Sequence, residues 1–275
     1  MINWSRERAK LGSELYKVLV AALLEYGPYM QEDKLEFYQE LVSRICPQDA
    51  CAELIVLNAY RTQFAFTGEG KIYLPTLVYD PIYQKLPKQS DENLNNKINL
   101  ELEQQLGKNM IITKKTPFSI LQGLLPHETL HLLGCRSFGR ALGEGIAELK
   151  AREYAIKHQL PIIPSYSKEA EIALCWQKLL GRNLINALAF MPKQDDYLQL
   201  LSPLVAMYFK QTLAIMDKQN SYSAKPSDLF PEDVSDFRLY FEQVSAIIRH
   251  MKTDYSATKK IIEEASKATK KLVIF

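Results

Sequence analysis

The sequence has little with which to build a disulfide framework. Cys46, Cys51, Cys135 and Cys175 are the only cysteines in 275 residues, and no CxxC occurs. Thiols this few and scattered are expected to stay free and buried in a reducing cytoplasm, and Cys46 and Cys51 lack the usual spacing of metal ligands. An excess of charge is missing too. The 34 Lys and Arg residues nearly balance 32 Asp and Glu residues, for a net charge of +2. No long basic run is interleaved with aromatics, so no nucleic-acid partner is expected. The longest uncharged runs, such as Tyr197 to Phe209, fall short of the roughly 18 apolar residues that a membrane span needs. Leu15 to Leu24 has the look of a signal-peptide core, but Lys17 interrupts it and no small-residue cleavage site follows. That stretch reads as an amphipathic helix, and no membrane partner is expected. The later helices share no fixed period, which argues against a solenoid.

What is present is ample material for a core, with 47% of residues hydrophobic. Apolar residues recur at helical spacing in Leu11 to Leu24 and Leu35 to Ile45, where Pro47 supplies a stop. From Leu54 to Tyr79 the composition turns β-branched and aromatic. The segments ELIVLNAY, QFAF and KIYLPTLVY, with TGEG between the last two, predict a small antiparallel sheet with one hairpin. Pro81 to Asn96 reads as a loop leading to a short helix near Leu100. Thr116 is a candidate cap for a mostly apolar helix ending at Gly134. Beyond it, AELKAREYAIKH, KEAEIALCWQKLLGRNLINALAF, YLQLLSPLVAMYFKQTLAIM and DFRLYFEQVSAIIRHM keep a helical period, punctuated by prolines. The expectation is a predominantly helical α+β protein, with one lobe over 1–160 and a helical C-terminal lobe over 161–275.

The chain has only four histidines, yet two of them fall four apart in PHETLHLLG, Pro126 to Gly134. Four residues of helix turn through about 400°, so His127 and His131 project from one face, where both imidazoles can reach one ion. Glu128 lies beside them. This is the HExxH arrangement, in which the histidines bind zinc and the glutamate, too far round to ligate, works on the metal's water. Two imidazoles and a carboxylate on a leucine-rich helix are costly to bury without a partner.

A hydrolytic zinc takes three protein ligands and keeps one position for water, so a third ligand must come from elsewhere. HETLHLLGCRS follows the metzincin pattern as far as its glycine, but Ser137 stands where that family has its third histidine. Cys135 lies eight residues beyond His127, about 12 Å along a helix, too far for one ion also held by His131. The remaining candidates are Glu144 and Glu148 in ALGEGIAELKAREY. Here GEGIAE resembles the glutamate helix of gluzincin metallopeptidases, although Gly143 replaces the asparagine of their NEGxA and the gap from His131 is shorter than in the best-known members. The resemblance covers about Ser119 to Tyr154. It implies Glu144 as third ligand and Glu148 as the acid that orients the first histidine, with Glu148 as ligand remaining open. The plainer alternative for Glu148 is a surface ion pair with Arg152, one turn on.

The resemblance also implies a zincin-like lobe and a zinc-dependent peptidase, with Glu128 as general base and a peptide or protein as substrate. A tyrosine or histidine outside the motif would stabilise the developing oxyanion, and among Tyr154, Tyr166 and Tyr222 the first choice is Tyr166. By the same resemblance a strand before the metal helix would border the cleft. KIYLPTLVY is the candidate, since Pro75 suits an edge strand, with an internal hairpin as the alternative. Two other classes stay in view: a metal-stabilised interaction protein without turnover, and a secreted toxin or effector protease with a narrow substrate.

Overall fold

A computed structural model of the protein describes residues 4–58, 65–75, 92–107, 116–135, 139–163, 165–190, 201 and 203–220. Tyr222 and the expected helix DFRLYFEQVSAIIRHM lie outside them. The described chain is mostly helical with one small sheet. Its contacts define two compact units, Met1–Cys135 with Ala147–Ser167, and Arg136–Ile146 with Lys168–Phe275.

In the first unit, helix α1 (Trp4–Tyr26) is longer than the expected Leu11 to Leu24. It buries Leu11, Leu15, Val18, Leu19, Ala22, Leu23 and Tyr26, which recur at the three- and four-residue steps of a single helical face. That face packs on the short helix α3 (Ala50–Leu54) and on α5 (Pro117–Leu133), with Gln122 of α5 donating to Glu14 of α1. Helix α2 (Glu32–Arg44) is tied to the end of α5 by the Tyr38 hydroxyl, which donates to the Leu132 carbonyl. Burial pushes the Tyr38 phenol up to about 12. Helix α4 (Glu92–Leu106) begins earlier than expected, taking residues 92–96 from the loop reading.

The sheet comprises β1 (Ile55–Asn58), β2 (Phe66–Gly68) and β3 (Lys71–Pro75), in the order β1-β3-β2. The hairpin is present: Gly68 pairs with Lys71 across Glu69 and Gly70, which both have positive φ, 50° and 72°. Two such residues make the tight turn whose twist matches the flanking strands. The sheet is nevertheless mixed, because β1 pairs with β3 in parallel, Ile55 opposite Ile72 and Asn58 opposite Pro75. The expectation of an antiparallel sheet is corrected here, and so is the edge position of β3. Among the described strands β3 is central, and Pro75, paired with Asn58, is the last of its described residues. Ile72 and Leu74 of β3 are buried, and the strand packs on α5. Tyr73 points the other way and stacks on Phe66.

Helix α5 is apolar on nearly every side and is buried accordingly. Thr116 caps it in a capping box: its hydroxyl accepts from the Ser119 amide while Ser119 Oγ accepts from the Thr116 amide. Gly134, with φ 114°, ends it. Helix α6 (Gly139–His158) starts earlier than AELKAREYAIKH and carries Glu144 and Glu148 on one unbroken helix.

In the second unit, the single helix expected from Lys168 to Phe190 is two, α7 (Ser167–Leu180) and α8 (Arg182–Phe190), divided at Gly181. Trp176 of α7 is buried edge-on against Phe209 of α9 (Pro203–Asn220). At Gly145 a Cβ would overlap the backbone of Glu169, where no side chain can rotate aside. Helix propensity alone favours Gly145→Ala by roughly 0.5–1 kcal/mol, whereas overpacking costs about 1–3 kcal/mol. The expected outcome is a net loss of stability, read as a lower midpoint in chemical denaturation; an unchanged or raised midpoint would show that the two backbones can separate freely.

Candidate metal centre

His127 and His131 lie one turn apart on α5, both buried. Their Nε2 atoms face each other at 3.1 Å and the rings are nearly perpendicular, at 73°. The other nitrogen of each ring is turned towards an oxygen. His131 Nδ1 lies 2.9 Å from the carbonyl oxygen of Cys135. His127 Nδ1 lies 3.3 Å from Glu148 Oε2, within ion-pair distance but without hydrogen-bond geometry. A carbonyl oxygen only accepts, so this contact favours the His131 tautomer with its proton on Nδ1 and its lone pair on Nε2, and the nearby carboxylate favours the same tautomer on His127. Two lone pairs 3.1 Å apart repel each other unless a shared proton or a cation lies between them.

Glu144, half-buried one turn before Glu148 on α6, completes the group: one ligand atom each from His127, His131 and Glu144 lie within 4.8 Å of one another. These three residues could hold a metal ion. Nitrogens about 2.0–2.1 Å from a tetrahedral ion stand about 3.3 Å apart, close to the observed separation of the imidazoles.

Glu148 touches both His127 and Arg152. Oε2 faces His127, while Oε1 accepts from Arg152 Nε at 2.6 Å and from the Ser165 amide at 3.2 Å. The ion pair with Arg152 is buried rather than on the surface, with both side chains at 3% exposure or less. Burial by itself would raise the Glu148 carboxyl; the contact with His127 and the guanidinium of Arg152 outweigh it and hold the pKa below the usual carboxylate range.

Glu128 is buried and stands outside the three-residue group. The Thr67 hydroxyl, on β2, lies 2.9 Å from its Oε2 and 3.0 Å from its backbone carbonyl. Nothing in the spacing of TGEG points to this contact, which joins residues 61 apart. Tyr166, 44% exposed, lays its ring over His127 with centroids 5.7 Å apart and planes at 12°. Tyr154 instead stacks on His158, and burial, with Glu14 adding to it, pushes its phenol up to about 12. The backbone, not the thiol, of Cys135 serves His131.

No known protein family, curated protein or solved structure matches the chain. No helix among the described residues is long and apolar enough to cross a membrane.

Proposed function

We propose that the protein is a zinc-dependent peptidase of the gluzincin-like kind, cleaving peptide or protein substrates. The observation that carries this reading is the pair of Nε2 atoms converging at 3.1 Å with both Nδ1 atoms turned to acceptors, beside a carboxylate that is not a ligand. His127, His131 and Glu144 hold the ion in this reading. Zinc, when bound, supplies a Lewis acid that brings the pKa of a water towards neutrality and polarises a carbonyl. The remaining work belongs to the chain. Glu128 takes the water's proton on its carboxylate and passes it to the leaving amine. Thr67 keeps that carboxylate from rotating away. Glu148 and the Cys135 carbonyl fix the tautomers of the two ligands. Tyr166 offers a hydroxyl to the developing oxyanion.

The strand given the role of bordering the cleft is β2 in place of β3, since β2 carries Thr67 and is an edge among the described strands. An extended peptide can pair with such an edge through its backbone.

Protein purified without chelator is expected to carry about one zinc per chain by elemental analysis, and to produce new termini in a peptide library. Protein that holds no transition metal and takes up none from added zinc would overturn the reading. Zinc without turnover on any peptide would leave a metal-stabilised interaction protein in its place.

A further inference from the structure

The two residues that flank Tyr166, Ser165 and Ser167, are both held by one buried guanidinium. Arg152, 1% exposed on α6, donates from Nε to Glu148. From Nη2 it reaches Asn95 Oδ1 at 2.8 Å, the Ser165 carbonyl at 3.2 Å and Ser167 Oγ at 3.3 Å. Ser167 Oγ also donates to Asn95 Oδ1, and the Ser165 amide donates to the same Glu148 oxygen that Arg152 holds. Between these anchors sits Tyr166 with φ 32°, a left-handed backbone that a tyrosine adopts only when its surroundings impose it. The ring so placed lies over His127, the imidazole that Glu148 faces at its Nδ1 edge. A planar fork can join partners in several directions at once; a lysine ammonium could pair with Glu148 but could not span to Ser165, Ser167 and Asn95 together.

We propose that Arg152 is a positioning residue that couples the metal centre to Tyr166. Through Glu148 it orients His127, and through Ser165, Ser167 and Asn95 it seats Tyr166 over the same imidazole. The inference rests on the zinc reading above. Coupling of this kind is reciprocal: zinc binding tightens the segment 165–167, and loosening the segment weakens zinc.

Two measurements on the full chain test it without relying on turnover: zinc affinity by chelator competition, and hydrogen exchange of the peptide spanning 165–167 with and without zinc. Wild type is expected to exchange this peptide at least about tenfold more slowly when zinc is bound. Arg152→Gln is expected to weaken zinc by about 10–100-fold and to abolish the zinc-dependent protection. Arg152→Lys keeps the charge beside Glu148, so its loss of zinc affinity should be much smaller, while the peptide exchanges faster. Asn95→Ala, which leaves the Arg152–Glu148 bond in place, should resemble Arg152→Lys and serves if Arg152→Gln fails to fold. Folded Arg152→Gln with wild-type zinc affinity overturns the coupling alone. Wild-type exchange of the peptide in both Arg152→Lys and Asn95→Ala does the same. Wild-type protein that binds no zinc overturns the metal centre and the coupling together.

Discussion

Glu128→Gln protein is expected to keep its zinc and its melting temperature and to lose hydrolysis by about 10²- to 10⁴-fold, the usual weight of a general base. The separation of these effects follows from where Glu128 lies. Its carboxylate is buried and outside the group of His127, His131 and Glu144, so in the proposed reading the substitution removes no donor from the ion. An amide of the same shape still offers an oxygen to the Thr67 hydroxyl, so the contact from β2 survives. What the amide cannot do is accept a proton from water. Elemental analysis, a thermal melt and a peptide cleavage assay on one preparation measure all three quantities. Activity near wild type would remove Glu128 from the chemistry, and zinc lost along with activity would make it a ligand.

Features set by neighbouring residues are legible in the amino-acid sequence. The four-residue step of His127 and His131, the Thr116 cap, the Gly134 stop and the hairpin at Glu69 and Gly70 each depend on a few consecutive residues, whose backbone geometry local sequence dictates. The parallel pairing of β1 with β3 joins strands that are not consecutive, and alternation along either strand is the same for both pairing directions. The break at Gly181 is hidden because the apolar period continues through it into α8. Thr67 beside Glu128 is a contact across 61 residues. Arg152 is the deeper failure of local reasoning. A glutamate and an arginine one turn apart usually form a solvated pair, and only the arrival of Asn95 and Ser165 to Ser167 makes burial of both charges tolerable.

The two glutamates of GEGIAE are expected to fail in different ways when each becomes glutamine. Glu148 is committed at both oxygens, to Arg152 and Ser165 on one side and to the Nδ1 edge of His127 on the other. That edge is opposite the Nε2 atom that faces His131, so Glu148 could reach the point between the imidazoles only by abandoning all three contacts. Glu144 already has an oxygen within 4.8 Å of the chosen imidazole nitrogens. Glu144→Gln should therefore weaken zinc by more than the 10–100-fold, approximately, that is typical of groups behind the ligands, because an amide oxygen replaces a charged donor. Its half-buried position predicts little change in the melting temperature of the metal-free protein. Glu148→Gln should show the reverse balance. Zinc affinity falls by only about 10–100-fold, but the buried guanidinium of Arg152 loses its counter-charge, a defect that costs about 3–5 kcal/mol in comparable buried pairs. The metal-free Glu148→Gln protein should accordingly melt well below wild type. Chelator competition and melting of both metal-free variants give the four values needed. A Glu144→Gln protein with wild-type zinc affinity, beside a Glu148→Gln protein that no longer binds zinc, would transfer the ligand role to Glu148 and require its carboxylate to leave Arg152 when the ion arrives.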